Sequence, residues 1–256
     1  MDEAEYLSFV RFFGWNQKAD LTEVEIVDQF LSKRHFLYID RYFSIRNCRI
    51  IYLNFSGNMA NEVSDFQAFP YAKELYLGHN IFRYVPNFTA LQSLTQLDLE
   101  GNQLISVPDF TNLPCLRDLS LIENGLREVP DFSALPKLRH LYLSKNPLIK
   151  IPKFSRLISL RSLEVRQTQI REVPDFSLPS LYALDLSRNL LKEVPDFTML
   201  LSLSLLNLEG NRLETVPSFR QLSNLKEIDL RNNPLSVRPY FHQDLSSCLS
   251  GPEDLE

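Results

Sequence analysis

The chain of 256 residues is poor in the residue types that most compact chemical sites need, with 3 cysteines, 4 histidines, 1 tryptophan and 7 glycines. Cys48, Cys115 and Cys248 lie far apart, without metal-ligand spacing and in odd number. This reads as reduced thiols in a cytosolic setting, not as a disulfide framework. The few glycines build no glycine-rich phosphate loop. No apolar run approaches the length of a membrane span, and no basic region precedes an apolar stretch at the amino terminus. Neither membrane insertion nor a classical signal peptide is therefore expected. The net charge of −5 argues against the continuous positive stripe that binding to nucleic acid requires.

What the chain does have is a period. Asn58, Asn80, Asn102, Asn124, Asn146, Thr168, Asn189, Asn211 and Asn233 recur every 22 residues, apart from one 21-residue step between Thr168 and Asn189. A phenylalanine follows each of them eight residues later, from Phe66 and Phe88 through Phe132 and Phe176 to Phe241. A fixed period of this length marks a solenoid, in which each unit buries its apolar face only against its neighbours. Within a unit, Leu97 and Leu99 have period two and point inward from a short strand, while the residue between them points to the other face. The asparagine enters the turn after that strand, where its amide can satisfy backbone groups of adjacent coils. Thr168 is expected to weaken this ladder locally. Proline precedes the phenylalanine by two residues in eight of the nine units, which favours an extended return segment over a long helix. The Ser/Thr column after the phenylalanine suits the cap of a single helical or 3-10 turn.

The pattern L-x-x-L-x-L-x-x-N-x-L, as in Leu94, Leu97, Leu99, Asn102 and Leu104, closely resembles the leucine-rich repeat family over roughly residues 50 to 241. The resemblance implies an α/β leucine-rich-repeat solenoid: a curved right-handed superhelix of nine repeats of about 22 residues. Its parallel sheet would line the concave face, with short extended or 3-10 segments on the convex side. Residues 1–48 break the period and are expected to form an N-terminal helical cap. Tyr6, Phe9, Val10 and Phe13 lie on one helix, and Val24, Val27, Phe30 and Leu31 on a second behind a capping box of Asp20 and Glu23. Residues 49–241 form the repeat domain, and 242–256 a C-terminal cap and tail.

In this family the outward residues of the strands usually bind the partner. Six, four and two positions before the asparagine, these columns hold nine carboxylates and two arginines, against 32 acidic and 27 basic residues in the whole chain. The expected partner-binding residues are Tyr52, Glu74, Tyr76, Asp98, Glu100, Asp118, His140, Tyr142, Glu164, Arg166, Asp185, Glu209, Glu227 and Asp229. Strands about 4.8 Å apart hold these charges within a Debye length of one another, so the face carries a negative potential and implies a basic partner. The exposed tyrosines are typical interface anchors. His140 and Asp118, neighbours in one column, read as an ordinary surface ion pair, with a recognition hot spot as the alternative. The column Arg83, Arg127, Arg171 and Lys192, followed by Glu128, Glu172 and Glu193, reads as a solvated flank with local pairing. His79 and His140 fall three coils apart, roughly 14 Å, and cannot share a metal or a proton relay. No catalytic residue, metal site or cofactor is expected.

The reading is a monomeric, non-enzymatic protein–protein interaction module. Its V-P-D-F units resemble the proline-containing repeats of bacterial effector proteins delivered into host cells, which implies a host protein as partner and secretion without a classical signal peptide. Some of those effectors carry a ubiquitin-ligase domain after the repeats, so a substrate-recognition arm is one alternative. An intracellular scaffold similar to the repeat-containing regulators of serine/threonine phosphatases is another.

Overall fold

A computed structural model describes residues 43–46, 49–62, 66 and 69–236. Ten strands form one sheet in strict sequence order: β1 Phe43–Arg46, β2 Arg49–Asn54, β3 Glu74–Tyr76, β4 Gln96–Asp98, β5 Asp118–Ser120, β6 His140–Tyr142, β7 Ser162–Glu164, β8 Ala183–Asp185, β9 Leu205–Asn207 and β10 Glu227–Asp229. From β2 to β10 every pairing is parallel and in register, one coil per strand, so Leu53, Leu75 and Leu97 are Cα partners in succession. Each strand of β3–β9 is three residues long with a buried centre and half-buried ends, the signature of a single inward side chain flanked by two outward ones.

The asparagine ladder closes the turn after each strand. The Nδ2 group of Asn102 donates to the carbonyl of Leu99 in its own coil and to that of Leu77 in the preceding one, both at 3.0 Å, while its Oδ1 accepts the Phe82 amide at 3.1 Å. Asn124 and Asn211 repeat the arrangement. Each amide thus satisfies groups that two coils would otherwise bury without partners. Thr168 lacks the amide, and its hydroxyl donates to Oδ1 of Asn189. Leu148, whose counterparts Leu104 and Leu126 donate to Asn124 and Asn146, has no side-chain acceptor at Thr168.

The residue before each ladder position turns through the left-handed region: Gly57, Gly101 and Gly210 do so at φ +74, +64 and +66, and Glu123, Lys145 and Asn232 at +55, +56 and +57. At Gly101 an added Cβ would lie 2.4 Å from Nδ1 of His79, so any other residue there would also displace that exposed side chain.

Among the described residues the return segments have no regular secondary structure, in accord with their prolines. Each re-enters the core at its phenylalanine. The rings of Phe110, Phe132, Phe154 and Phe176 stack continuously, with centroids 6.1, 6.2 and 6.4 Å apart. Two successive i→i+3 turns follow, as from Leu135 to Phe132 and from Leu138 to Leu135, and lead into the next strand. The polar residue before the phenylalanine caps the first turn: Oδ1 of Asn87, Asp131 and Asp196 accepts the amide of Thr89, Ser133 and Thr198. The Ser/Thr column thus contributes its backbone amide, and the capping side chain expected of it belongs to the Asp/Asn two residues earlier. The single 21-residue step is absorbed at this turn, since Leu178 follows Phe176 after one residue where Leu135 follows Phe132 after two.

At the sheet's amino-terminal edge β1 pairs antiparallel with β2, with a register shift between Ser44 and Ile45. This strand covers an edge that would otherwise template further pairing. The two helices expected within residues 1–48, the ring of Phe241 and the tail 242–256 lie outside the described residues.

Candidate protein-binding face

Because −5 and −3 side chains fill the core, the −6 and −4 columns stand on the open face of the sheet in the register Tyr52, Glu74, Gln96, Asp118, His140, Ser162 and Asn54, Tyr76, Asp98, Ser120, Tyr142, Glu164. All fourteen sequence-derived candidates lie there or in the turns just after the strands: Tyr52 on β2, Glu74 and Tyr76 on β3, Asp98 on β4, Asp118 on β5, His140 and Tyr142 on β6, Glu164 on β7, Asp185 on β8, Glu227 and Asp229 on β10, and Glu100, Arg166 and Glu209 in turns.

The charges on this face are unevenly compensated. Arg166 pairs with Glu164 of its own strand at 3.0 Å, and Arg231 with Asp229 at 2.5 Å, which holds the Asp229 carboxyl below its ordinary value. Glu164 also accepts the Ser144 hydroxyl at 2.7 Å. Asp118 is bound by Nδ1 of His140, and Arg188 approaches Glu209 at 3.9 Å. Glu74, Asp98, Glu100, Asp185 and Glu227 form no ion pair among the described residues. Three of these, Glu74, Asp98 and Glu100, lie on two adjacent coils beside Tyr52 and Tyr76, whose rings pack with centroids 5.2 Å apart.

Burial pushes the Tyr76 phenol up to about 12, and the nearby Glu74 charge and its 3.3 Å hydrogen bond from Tyr76 add to the effect. Burial, followed by the charges of Asp118 and Glu164, likewise raises Tyr142. Asp98 is raised by burial, against the opposing pull of the Glu100 amide and His79.

A structural role of the −4 column was not evident from composition. Oδ1 of Asp98, Asp185 and Asp229 accepts the amide two residues on, at 2.9, 2.9 and 3.0 Å, and Asn54 and Asn207 do the same at 3.0 Å each. Aspartate and asparagine are therefore interchangeable for the turn, and the choice between them sets only the charge. The signal was present in the sequence as Asn54 and Asn207 standing in the same column.

Over β7–β10 the face opens into a hollow of about 510 Å³ lined by Ala183, Leu205, Glu164, Asp185, Glu227 and Asp229, with Arg231 beside Asp229. Among the described residues no group of three or more His, Cys, Asp or Glu side chains could hold a metal, and no helix is long and apolar enough to cross a membrane. Cys115 is a half-buried free thiol.

One-strand coils stacked in parallel register, a buried polar ladder and an open outward face define a solenoid binding scaffold. Models of the leucine-rich repeat match residues 179–235, 93–113 and 224–250. The chain is a leucine-rich-repeat protein. A leucine-rich-repeat protein of Leptospira interrogans is 27% identical with a TM-score of 0.63, over 73% of this chain and 56% of that one. InlP of Listeria monocytogenes is 27% identical with a TM-score of 0.61, over 71% and 55%. TLR13, solved in a complex with ssRNA13, is 30% identical with a TM-score of 0.60, over 73% and 29%. The chain thus spans about half the length of the two bacterial structures and under a third of TLR13. No curated protein matches it.

Proposed function

We propose that the chain is a protein-recognition module that holds a basic partner on its concave sheet. The observation that carries this reading is the coexistence, on one rigid face, of ion-pair-free carboxylates and packed tyrosines: Glu74, Asp98 and Glu100 beside Tyr52 and Tyr76. A surface kept acidic only for solubility needs no aromatic anchors, whereas an interface combines rigid tyrosines with charge complementarity. The hollow over β7–β10 adds a second point of engagement, where Ala183 and Leu205 lie beside the ion-pair-free carboxylates of Asp185 and Glu227, a combination that suits the stem and head of a lysine or arginine from the partner. TLR13 is solved with RNA, but the sign of charge on this chain's open face disfavours a polyanion there.

The V-P-D-F units, with two bacterial proteins among the similar structures, favour a bacterial effector whose partner is a host protein, and the few scattered cysteines favour a reducing compartment. The leucine-rich-repeat solenoid is in general a binding scaffold, in keeping with a non-enzymatic role.

Affinity capture from host-cell lysate with mass spectrometry, using the native chain beside D98N/E164Q/D185N, tests the reading. These substitutions remove charge while keeping each turn cap and hydrogen bond. Basic proteins retained by the native chain and lost by the variant are the expected result. An identical set retained by both would overturn the proposal.

A further inference from the structure

The flank that leads from each phenylalanine into the next strand carries a charge pattern opposite to that of the open face. Its eight segments, 67–73, 89–95, 111–117, 133–139, 155–161, 177–182, 198–204 and 220–226, contain eight lysines and arginines and no aspartate or glutamate, in a chain of net charge −5. Five of the eight cations fall in three successive coils: Arg117, Lys137, Arg139, Arg156 and Arg161. Arg117, Arg139 and Arg161 occupy one register position just before β5, β6 and β7. Their backbones are joined directly, the Arg139 amide to the Arg117 carbonyl and the Arg161 amide to the Arg139 carbonyl, each at 2.7 Å. The three guanidinium groups therefore rise from points about 4.8 Å apart along the sheet edge.

Elsewhere on the repeats some cations find partners, as Lys145 does with Glu123, Lys150 with Glu128 and Arg166 with Glu164, while Arg83, Arg127 and Arg171 form no ion pair among the described residues; the flank differs in having no acidic residue of its own beside its cations. None of the five flank cations forms an ion pair among the described residues. The acid next in sequence, Asp118, is already engaged by His140. Arg139 is half-buried and the other four are exposed, and Lys137 reaches only Sγ of Cys115, at 3.7 Å. Like charges stacked at this spacing oppose one another, so the row costs the fold stability and gains it back only when an anion lies along it.

We propose that this flank of coils β5–β7 is a second docking surface, which takes an acidic peptide segment of a protein partner in extended conformation. Three features favour a peptide over a nucleic acid. The row spans only two inter-coil steps, about 10 Å, which matches two or three carboxylates and few phosphates. It offers no series of aromatic rings on which bases could stack. The adjoining open face bears uncompensated carboxylates, which repel a long polyanion but accept the basic residues that flank an acidic stretch. A guanidinium fork also matches a carboxylate in bidentate geometry. A partner bearing both signs of charge would meet basic flank and acidic face side by side, which fixes its orientation.

The test is fluorescence anisotropy of the full chain with a labelled hexaglutamate peptide in low salt, beside hexalysine and a hexauridine RNA of equal label. Hexaglutamate should bind, and R117E/R139E/R161E should weaken it at least about tenfold, as expected when three charge-assisted contacts are lost and reversed. R117Q/R139Q/R161Q serves as a milder variant should charge reversal disturb folding, and a thermal midpoint close to that of the native chain certifies either one. D98N/E164Q/D185N should not weaken hexaglutamate binding, since it removes only repelling charge, and this separates the flank from the open face. Equal binding of hexaglutamate to native and arginine-substituted chains, no binding at all, or a preference for hexauridine would each overturn the proposal.

Discussion

Replacing Phe132 probes the spine and the backbone that carries it at the same time. The ring is fully buried and stacks on Phe110 and Phe154 at 6.1 and 6.2 Å. Its truncation to alanine should cost about 3–5 kcal/mol, near the upper end because two ring pairs are lost with the buried area. The backbone adds a finer distinction. Phe132 sits at φ +51, where any residue with a Cβ is disfavoured by about 1–2 kcal/mol, while glycine elsewhere loses about 0.5–1 kcal/mol to alanine through unfolded-state entropy. F132G should therefore be more stable than F132A by about 0.5–1 kcal/mol, the reverse of the usual order. Phe176 is the control, being equally buried but outside the left-handed region, so F176G should be less stable than F176A by about 0.5–1 kcal/mol. Urea midpoints of the four variants, compared at constant slope, decide the matter. Glycine below alanine at both positions would refute the backbone argument, and midpoints unchanged by either alanine would refute the spine.

Two further predictions concern the ladder and the open face. T168N should restore the missing acceptor for Leu148 and raise stability by about 1 kcal/mol, the net worth of a buried hydrogen bond; a lower thermal midpoint would show that the Thr168 hydroxyl on Asn189 is the better arrangement. Asp98 has a folded-state pKa raised by burial, so the folded chain holds its proton more tightly than the unfolded one and loses stability as pH rises through the carboxylate range. D98N keeps the cap on the Glu100 amide without the buried charge. It should be more stable than the native chain at pH 7 and should lose that advantage in acid, as followed by urea denaturation across pH; an advantage independent of pH would sink the assignment.

The physics of the repeat explains which features could be read without coordinates. Strict translation along the solenoid makes each coil a copy of the last, so a column in the sequence is a column in space. That is why Tyr76, Asp98, Tyr142 and Glu164 could be placed on one row before the register was known. The same logic located the leucines, the phenylalanine spine and the asparagine ladder, whose hydrogen bonds need only neighbouring coils.

What departs from translation needed the tertiary structure. Arg166 and Arg231 neutralise carboxylates of their own strands, so the net charge of a column overstates its free charge. The reversal of chain direction at β1 depends on an exposed sheet edge, which has no signature in a repeat that it interrupts. The left-handed backbone at Phe132 and Glu123 falls on residues that do not favour it, and only Gly57, Gly101 and Gly210 hinted at it in the second of those columns. Sequence alone fixed what each residue faces, because facing follows from period. Which charges remain free and where the backbone is strained depend on distances across coils, and these appear only once the coils are stacked.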